Sequence, residues 1–533
     1  MFTKRTTVII SILMIALAVG GCSLFNGRQQ SKGLRYAVGD EPESLDPRKS
    51  TSIAASNIEA QLFEGLTSVD SNNNPVPAAA ERWEVSPDGL KYTFYLRKGL
   101  KWSNGDPVTA EDFEYAWKSV LSKELASDYA SQLFYIKNGE AYNSGKATED
   151  EVGVKAVDSN TLEVELEKPV PYFLALTSFH TYYPINKKVV TANENWAADA
   201  QSFVGNGPFK MTEWVHQSKV EVVKNAQYWD VAKIKLEKID FTLVDSNSTT
   251  LTMFENGQLD MAENPPVTDV PRLQKEGKVK VFPFLGVYYY SFNLNRAPFD
   301  NVKVRKAFSL AINRQDIVTR VLQGGQKAAL GLVPYGVPDV TTSEDFRVKG
   351  GDYLADNDVA TAQRLLAEAG YPGGKGLPTI TLLYNTSDNN KILAEAVQEM
   401  WKKNLGVTVE LANQERKVFY DTLDSHNFQV ARDEWVGDYA DAMTFIDLFE
   451  SGNANNSPRY SNPAYDQLVH TAKNTPDQAV RVKAMHDAEQ MLFEDAVIIP
   501  VYYYNNSVLI KDSVKGVVRT ILGVIYLKEA YIE

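Results

Sequence analysis

Val287-Tyr-Tyr-Tyr-Ser-Phe-Asn293 and Val501-Tyr-Tyr-Tyr-Asn505 are the two stretches on which the reading of this chain turns. Each is a short aromatic run without proline or glycine, the composition of a β-strand. They stand far apart in the chain yet share one character, so the fold is expected to bring them side by side. Tyrosine joins an apolar ring to a polar tip, which suits the wall of a cleft that is part wet and part packed. Plain core strands would have the same composition, and both readings stay open at this point.

Around these runs the chain mixes strand and helix signals. Tyr92–Arg97, Thr161–Leu166 and Val407–Leu411 alternate as half-buried strands do. Thr109 with Asp112 three residues on gives a helix start, and Phe113, Ala116, Trp117, Val120 and Leu121 fall on one face behind it. A second helix carries Ile392, Leu393, Ala396, Val397, Met400 and Trp401 on one face and is stopped by Gly406 after Lys402 and Lys403. Leu365–Ala369 ends at Gly370-Tyr371-Pro372, and the glycines behind it are a loop. No fixed-period repeat is present. The expectation is a mixed α/β fold. With 533 residues, 44% of them hydrophobic, the chain exceeds the roughly 250–300 residues one core serves, so at least two lobes are expected.

The first residues carry an address. Lys4 and Arg5 precede an apolar run from Val8 to Val19, shorter than the about 20 residues a membrane span needs and closed by small residues, the layout of a secretory signal. The cut region Val19-Gly20-Gly21-Cys22 resembles a bacterial lipobox, so residues 1–21 are expected to be removed. Cys22, the one cysteine, would then become a lipid-modified (palmitate-type) anchor on residues 22–33, a polar tether. A net charge of −13 without a Lys/Arg-rich run argues against nucleic acid as a partner.

Chemistry is hard to find. There is no His-Glu-x-x-His and no Gly-x-Ser-x-Gly, and Gly376 stands where a phosphate loop needs Ser or Thr. His180, His216, His426, His470 and His486 are scattered singly, with no metal-ligand spacing, and the spacing of Asp438 and Asp441 does not establish the carboxylate separation an acid/base pair needs. No catalytic residue, metal or cofactor is expected.

Seven stretches together resemble the peptide-binding group of solute-binding protein family 5, the extracytoplasmic receptors of ABC importers. They are Glu41-Pro-Glu-Ser-Leu-Asp-Pro47, Lys101-Trp-Ser-Asn-Gly-Asp-Pro-Val-Thr-Ala-Glu-Asp-Phe113, Lys168-Pro-Val-Pro-Tyr-Phe173, Gly205-Asn-Gly-Pro-Phe209, Val304-Arg-Lys-Ala-Phe308, Leu382-Leu-Tyr-Asn-Thr-Ser-Asp388 and Trp401-Lys-Lys-Asn-Leu-Gly-Val407. The resemblance implies an α/β fold of the two-lobed periplasmic-binding-protein type (class II, cluster C). One lobe would be built from residues 34–63, 188–289 and 506–533, an extra domain from 64–187, and the second lobe from 290–505, with the chain crossing near Tyr288–Tyr290 and Tyr502–Tyr504. It also implies a short peptide held between the lobes and handed to a permease served by separate ATPase subunits, the receptor acting as a monomer outside the cytoplasmic membrane or in the periplasm.

Site residues follow from the same resemblance. Asp438 falls on the family's acceptor for the ligand α-ammonium, with Trp435 and Arg432 beside it. Tyr129, Tyr504, Ile53 and Arg416 fall on cleft positions. The chain departs from the family pattern at Thr51, where an acidic residue is usual, and at Arg416, where a tryptophan is. Asn390 and Leu423 replace a histidine and an arginine that meet the carboxyl end of longer peptides. Arg416 is expected either to meet a ligand carboxylate, as in a murein-type peptide, or to point to solvent or pair with an acidic neighbour. A nickel complex, haem or glycan on the same fold, a secreted hydrolase and an adhesion lipoprotein are the competing readings.

Overall fold

The computed structural model describes residues 33–70 and 72–533. The expected export signal, Cys22 and the expected tether up to Lys32 lie outside the described residues, and Gly33 opens the first strand.

The two tyrosine runs do lie side by side. An eleven-stranded sheet is built from β1 (Gly33–Gly39), β2 (Phe209–Val215), β3 (Lys219–Lys224), β4 (Lys238–Leu243), β5 (Met261–Glu263), β6 (Val279–Phe292), β7 (Lys327–Ala328), β8 (Ile380–Asn385), β9 (Val409–Gln414), β10 (Val430–Val436) and β11 (Ile498–Ile510). Its order is β9-β8-β10-β6-β11-β5-β1-β4-β3-β2, with β7 added on β11. The long strands β6 and β11 run antiparallel at its centre and belong to both halves. Val279–Pro283 pair with the end of β11 at Asn505–Leu509, and Val287–Ser291 pair with its beginning at Ile498–Tyr503. Between Pro283 and Val287 the register breaks. There the Leu285 N–H donates to the Ile521 carbonyl at 2.8 Å and its carbonyl accepts the Gly437 N–H at 2.7 Å, so the backbone groups freed by the break are satisfied by other segments.

Alternation along β6 sends its side chains to two different cores. Tyr289 packs with Leu285 and Val287 into a core that includes Tyr36, Phe241, Phe445 and Leu492. Tyr288, Tyr290 and Phe292 face the other way, toward Phe308, Leu382, Trp401 and Ile499. Tyr288 stacks on Tyr502 with ring centroids 5.0 Å apart, a cross-strand aromatic pair of the kind that adds about 0.5–1.5 kcal/mol beyond its buried area. Tyr288, Tyr289, Tyr290, Tyr502 and Tyr503 are buried, so the core reading describes them; Tyr504 alone stays half-open.

A separate antiparallel sheet, Ala80–Val85, Lys91–Leu96, Thr161–Glu165 and Val154–Asp158 in spatial order, packs against helix α2 (Ala110–Leu121). The expected helix start at Thr109 is present: Asp112 accepts the Thr109 N–H at 2.9 Å. It also accepts Nε1 of the fully buried Trp102 at 3.2 Å, which ties the two ends of the Lys101–Phe113 stretch together. Helix α3 (Asp388–Leu405) stops at Gly406 with φ 69°. On α3, Trp401 donates to the Phe308 carbonyl at 2.8 Å and joins two of the quoted stretches.

Gly205-Asn-Gly-Pro-Phe209 clasps the end of helix α1 (Ile53–Leu62). Gly207 N–H donates to the Leu62 carbonyl at 2.8 Å, and Asn206 holds the Glu64 backbone by both its N–H and its carbonyl at 2.9 Å each. A Cβ on Gly205 would stand 2.0 Å from the Leu62 carbonyl oxygen. Backbone, which cannot swing aside, is the obstacle, so only glycine fits there. Among the described residues no helix is long and apolar enough to cross a membrane.

Candidate ligand cleft

The candidate site grows from the end of β10. Strand alternation turns Arg432 and Glu434 to one face of the sheet and Asp433 and Trp435 to the other. On the first face Arg432 pairs with Glu434, donates to the Tyr504 hydroxyl at 3.3 Å and lies 5.1 Å over the Tyr288 ring. Tyr504 donates in turn to Glu434. The Arg432 charge is thus neutralised inside the protein. On the opposite face Trp435 Nε1 donates to the Thr444 hydroxyl at 3.3 Å, and the Asp438 N–H reaches the same oxygen at 3.2 Å. Thr444 therefore fixes the turn that leads from the sheet to Asp438.

Beyond that turn the chain meets the 64–187 segment. Tyr439 stacks on Tyr172 with centroids 4.1 Å apart and planes 5° from parallel, and Tyr135 closes edge-on to both. Asp441 is held by both terminal nitrogens of Arg481 at 2.8 and 2.6 Å. The backbone on each side of Asp438 is fixed, while its carboxylate has no cationic partner among the described residues. Its surface is open to water, yet it sits on a concave wall where protein displaces much of the surrounding solvent. Burial, helped by the negative charge of Asp447, pushes its carboxyl above the usual range.

Tyr129 lies on the same wall. Its ring is 5.8 Å from Phe179 and 5.7 Å from His180, and burial, then the charges of Asp438 and Glu43, raises its hydroxyl pKa. His180 is buried. Its Nε2 donates to the Ser50 carbonyl at 3.0 Å, so its Nδ1 is the acceptor for the Ser56 hydroxyl at 3.3 Å. Burial holds its pKa down at about 4. Since unfolded histidine titrates near 6.5, the unfolded chain takes up a proton that the folded chain refuses as pH falls from about 6.5 to about 4. Stability should fall across that window by on the order of 3 kcal/mol from this group alone. His180→Gln is expected to flatten that part of a melting-temperature against pH curve relative to wild type; parallel curves would show that His180 is not held neutral.

The remaining sequence-derived positions are spread more widely. Ile53 is exposed in the first turn of α1. Beside it Glu43 accepts the Ser52 N–H at 2.9 Å and the Thr51 hydroxyl at 3.1 Å, so a carboxylate does stand at Thr51, supplied from within the Glu41–Pro47 stretch, to which sequence reasoning assigned no site role. Arg416 is exposed at the start of the helix Arg416–Asp424, 5.9 Å over Tyr420, with no acidic partner among the described residues. Asn390 donates to Asn385 Oδ1 at 2.9 Å, and Leu423 is buried with Leu383, Phe419 and Phe428. The structure thus joins Asp438, Tyr129 and Trp435 along one wall, places Arg432 with Tyr504 across the sheet, and leaves Ile53 and Arg416 at exposed helix starts.

The model of the bacterial extracellular solute-binding proteins, family 5 Middle, matches residues 74–457. The oligopeptide-binding protein OppA of Bacillus subtilis is 41% identical over 547 residues, covering 99% of each chain. Among solved structures, the periplasmic murein tripeptide-binding protein MppA in its unliganded open form superposes with a TM-score of 0.84 at 37% identity, over 94% of this chain and 97% of that one. Haemophilus influenzae OppA in complex with RPPGFSPFR gives 0.70 at 35% identity, over 95% and 99%. Match to the family model, identity over the full length and the two-lobed mixed α/β architecture agree: the chain belongs to the bacterial extracellular solute-binding proteins of family 5.

Proposed function

We propose that this protein is the lipid-anchored receptor of an ABC importer, and that it binds short peptides between two lobes and presents them to a permease. The observation that carries the reading is the Asp438 carboxylate, on a concave wall with its backbone N–H held by Thr444 and, among the described residues, without a cationic partner, as an acceptor for a peptide ammonium should be. Relatives named for oligopeptide, dipeptide and murein-peptide binding support it. The lobes are residues 34–63, 188–289 and 506–533 on one side and 290–505 on the other, with 64–187 as the extra domain. The register break in β6 at Pro283–Val287 is the hinge. The higher TM-score against an open unliganded relative than against a peptide complex of similar identity supports an open arrangement here. Ligand that prefers the closed form would shift the equilibrium toward closure and report occupancy to the permease. Cys22 is the anchor, the receptor works as a monomer outside the cytoplasm, and it catalyses nothing.

Arg416 is the candidate for a ligand carboxylate, now that Leu423 is buried and Asn390 is engaged with Asn385. Native mass spectrometry on protein released from its lipid, followed by denaturation, identifies the carried ligand. A mixture of short peptides, or one carboxylate-rich peptide, is the expected result. A haem, metal complex or glycan in place of peptide would overturn the reading, and full affinity of Arg416→Ala for every carboxylate-rich peptide would remove Arg416 from the site.

A further inference from the structure

Asp438 lines a pocket whose walls come from four distant parts of the chain. Val69, Ala175 and Leu176 form one side; Ile521, Leu522 and Val524 form another, on the hairpin tip that also bonds to Leu285 at the hinge. Among the described residues, Asp438 is the one acidic side chain on this wall, and no Lys or Arg lines it.

Several of the polar groups present are already engaged. The Asn73 side-chain carbonyl accepts the Ile521 N–H at 2.8 Å, and the Ser178 hydroxyl donates to the Ala175 carbonyl at 2.7 Å. Tyr526 donates to the Ser178 carbonyl at 3.3 Å, and both ring nitrogens of His180 are bonded to Ser50 and Ser56. Such a pocket offers an incoming group aliphatic contact and few hydrogen bonds. Ordered water, which needs two to four polar partners, is poorly served there.

We propose that this pocket receives the side chain of the ligand residue whose ammonium meets Asp438, and that it selects an aliphatic side chain over a cationic or acidic one. The proposal rests on the peptide-binding reading. An aliphatic side chain would exchange water for the walls of Leu176, Ile521 and Leu522, whereas a charged one would lose its hydration with no partner to replace it.

Isothermal titration with the tripeptides Ala-Ala-Ala, Leu-Ala-Ala, Lys-Ala-Ala and Glu-Ala-Ala tests it. The Leu-first peptide should bind at least about tenfold more tightly than the Lys-first and Glu-first peptides. In Leu522→Asp, the Lys-first to Leu-first affinity ratio should rise at least about tenfold, a ratio in which any general loss of affinity cancels. Ala175→Phe, which fills the pocket instead of charging it, should bring the Leu-first peptide down to the Ala-first level. Equal wild-type affinities for the Leu-first, Lys-first and Glu-first peptides would overturn the proposal and leave peptide binding standing. Failure of all four to bind would overturn both.

Discussion

Asp438→Asn is expected to weaken binding of a peptide with a free amino terminus by about 100-fold or more, while the ligand-free protein melts at the same or a higher temperature. The first half follows from the unpaired carboxylate: a buried ammonium that loses its only counter-charge is stranded, and truncating one partner of such a pair costs several kcal/mol. The second half follows from the direction of the Asp438 shift. Burial raises its carboxyl above the unfolded value, so its contribution to stability is present below the unfolded pKa and is lost as pH rises through the folded one. At neutral pH the ionised group is therefore a cost that the ligand repays, and the amide removes it. Affinity of the wild type should also fall as pH is lowered through the raised carboxyl pKa, and Asp438→Asn should lack that dependence. Calorimetric titration of an unblocked and an N-acetylated peptide checks all of this. Equal affinity of wild type and variant for the unblocked peptide would exclude Asp438 as the ammonium acceptor.

Much of this arrangement was legible in local sequence because its signals are local. The helix start at Thr109 and Asp112 and the stop at Gly406 are decided within a turn or two, and both stand where the residues put them. The pairing of the two tyrosine runs was legible from composition alone, but their role was not. Whether a tyrosine on a strand is core or surface depends on what packs over each face, and alternation divides Tyr288, Tyr289 and Tyr290 between two cores and leaves Tyr504 half-open. The site itself was only partly readable. Thr444 and Glu43 act through contacts six to nine residues away that follow no helix or strand spacing, and the Ile521–Val524 tip meets Asn73 and Leu285 from far along the chain, so no spacing rule reports them. Thr51 reads as a lost carboxylate until the fold brings Glu43 onto it. Leu423 reads as an empty site position until burial among Leu383, Phe419 and Phe428 shows that it has become core.

The largest effect on stability is expected from Arg347→Met. Arg347 and Glu489 form an ion pair with side-chain exposures of 2% and 0%. Glu489 also accepts the Leu332 and Val333 N–H groups at 2.7 and 3.0 Å, and Arg347 donates to the Gly351 carbonyl at 2.7 Å. With the guanidinium gone, a carboxylate remains in the core with two amides and no counter-charge, a loss of about 3–5 kcal/mol. Adding Glu489→Gln should restore part of it, because a neutral amide can keep accepting from Leu332 and Val333 without burying a charge. The loss should also reach the cleft. The Tyr503 hydroxyl bonds both the Gly331 N–H and the Gly331 carbonyl, at 3.1 and 3.0 Å, one residue before Leu332, and Tyr503 precedes Tyr504 on β11, the strand paired with β6 at the centre of the sheet. Loosening this clamp should raise amide exchange along β11 at Tyr502–Tyr504 in Arg347→Met well before global unfolding. Chemical denaturation of the two variants, read beside hydrogen exchange of that strand, separates the outcomes: unchanged midpoints would show that the pair contributes little, and a lower midpoint with unchanged exchange at Tyr502–Tyr504 would confine its effect to the helices that carry Arg347 and Glu489.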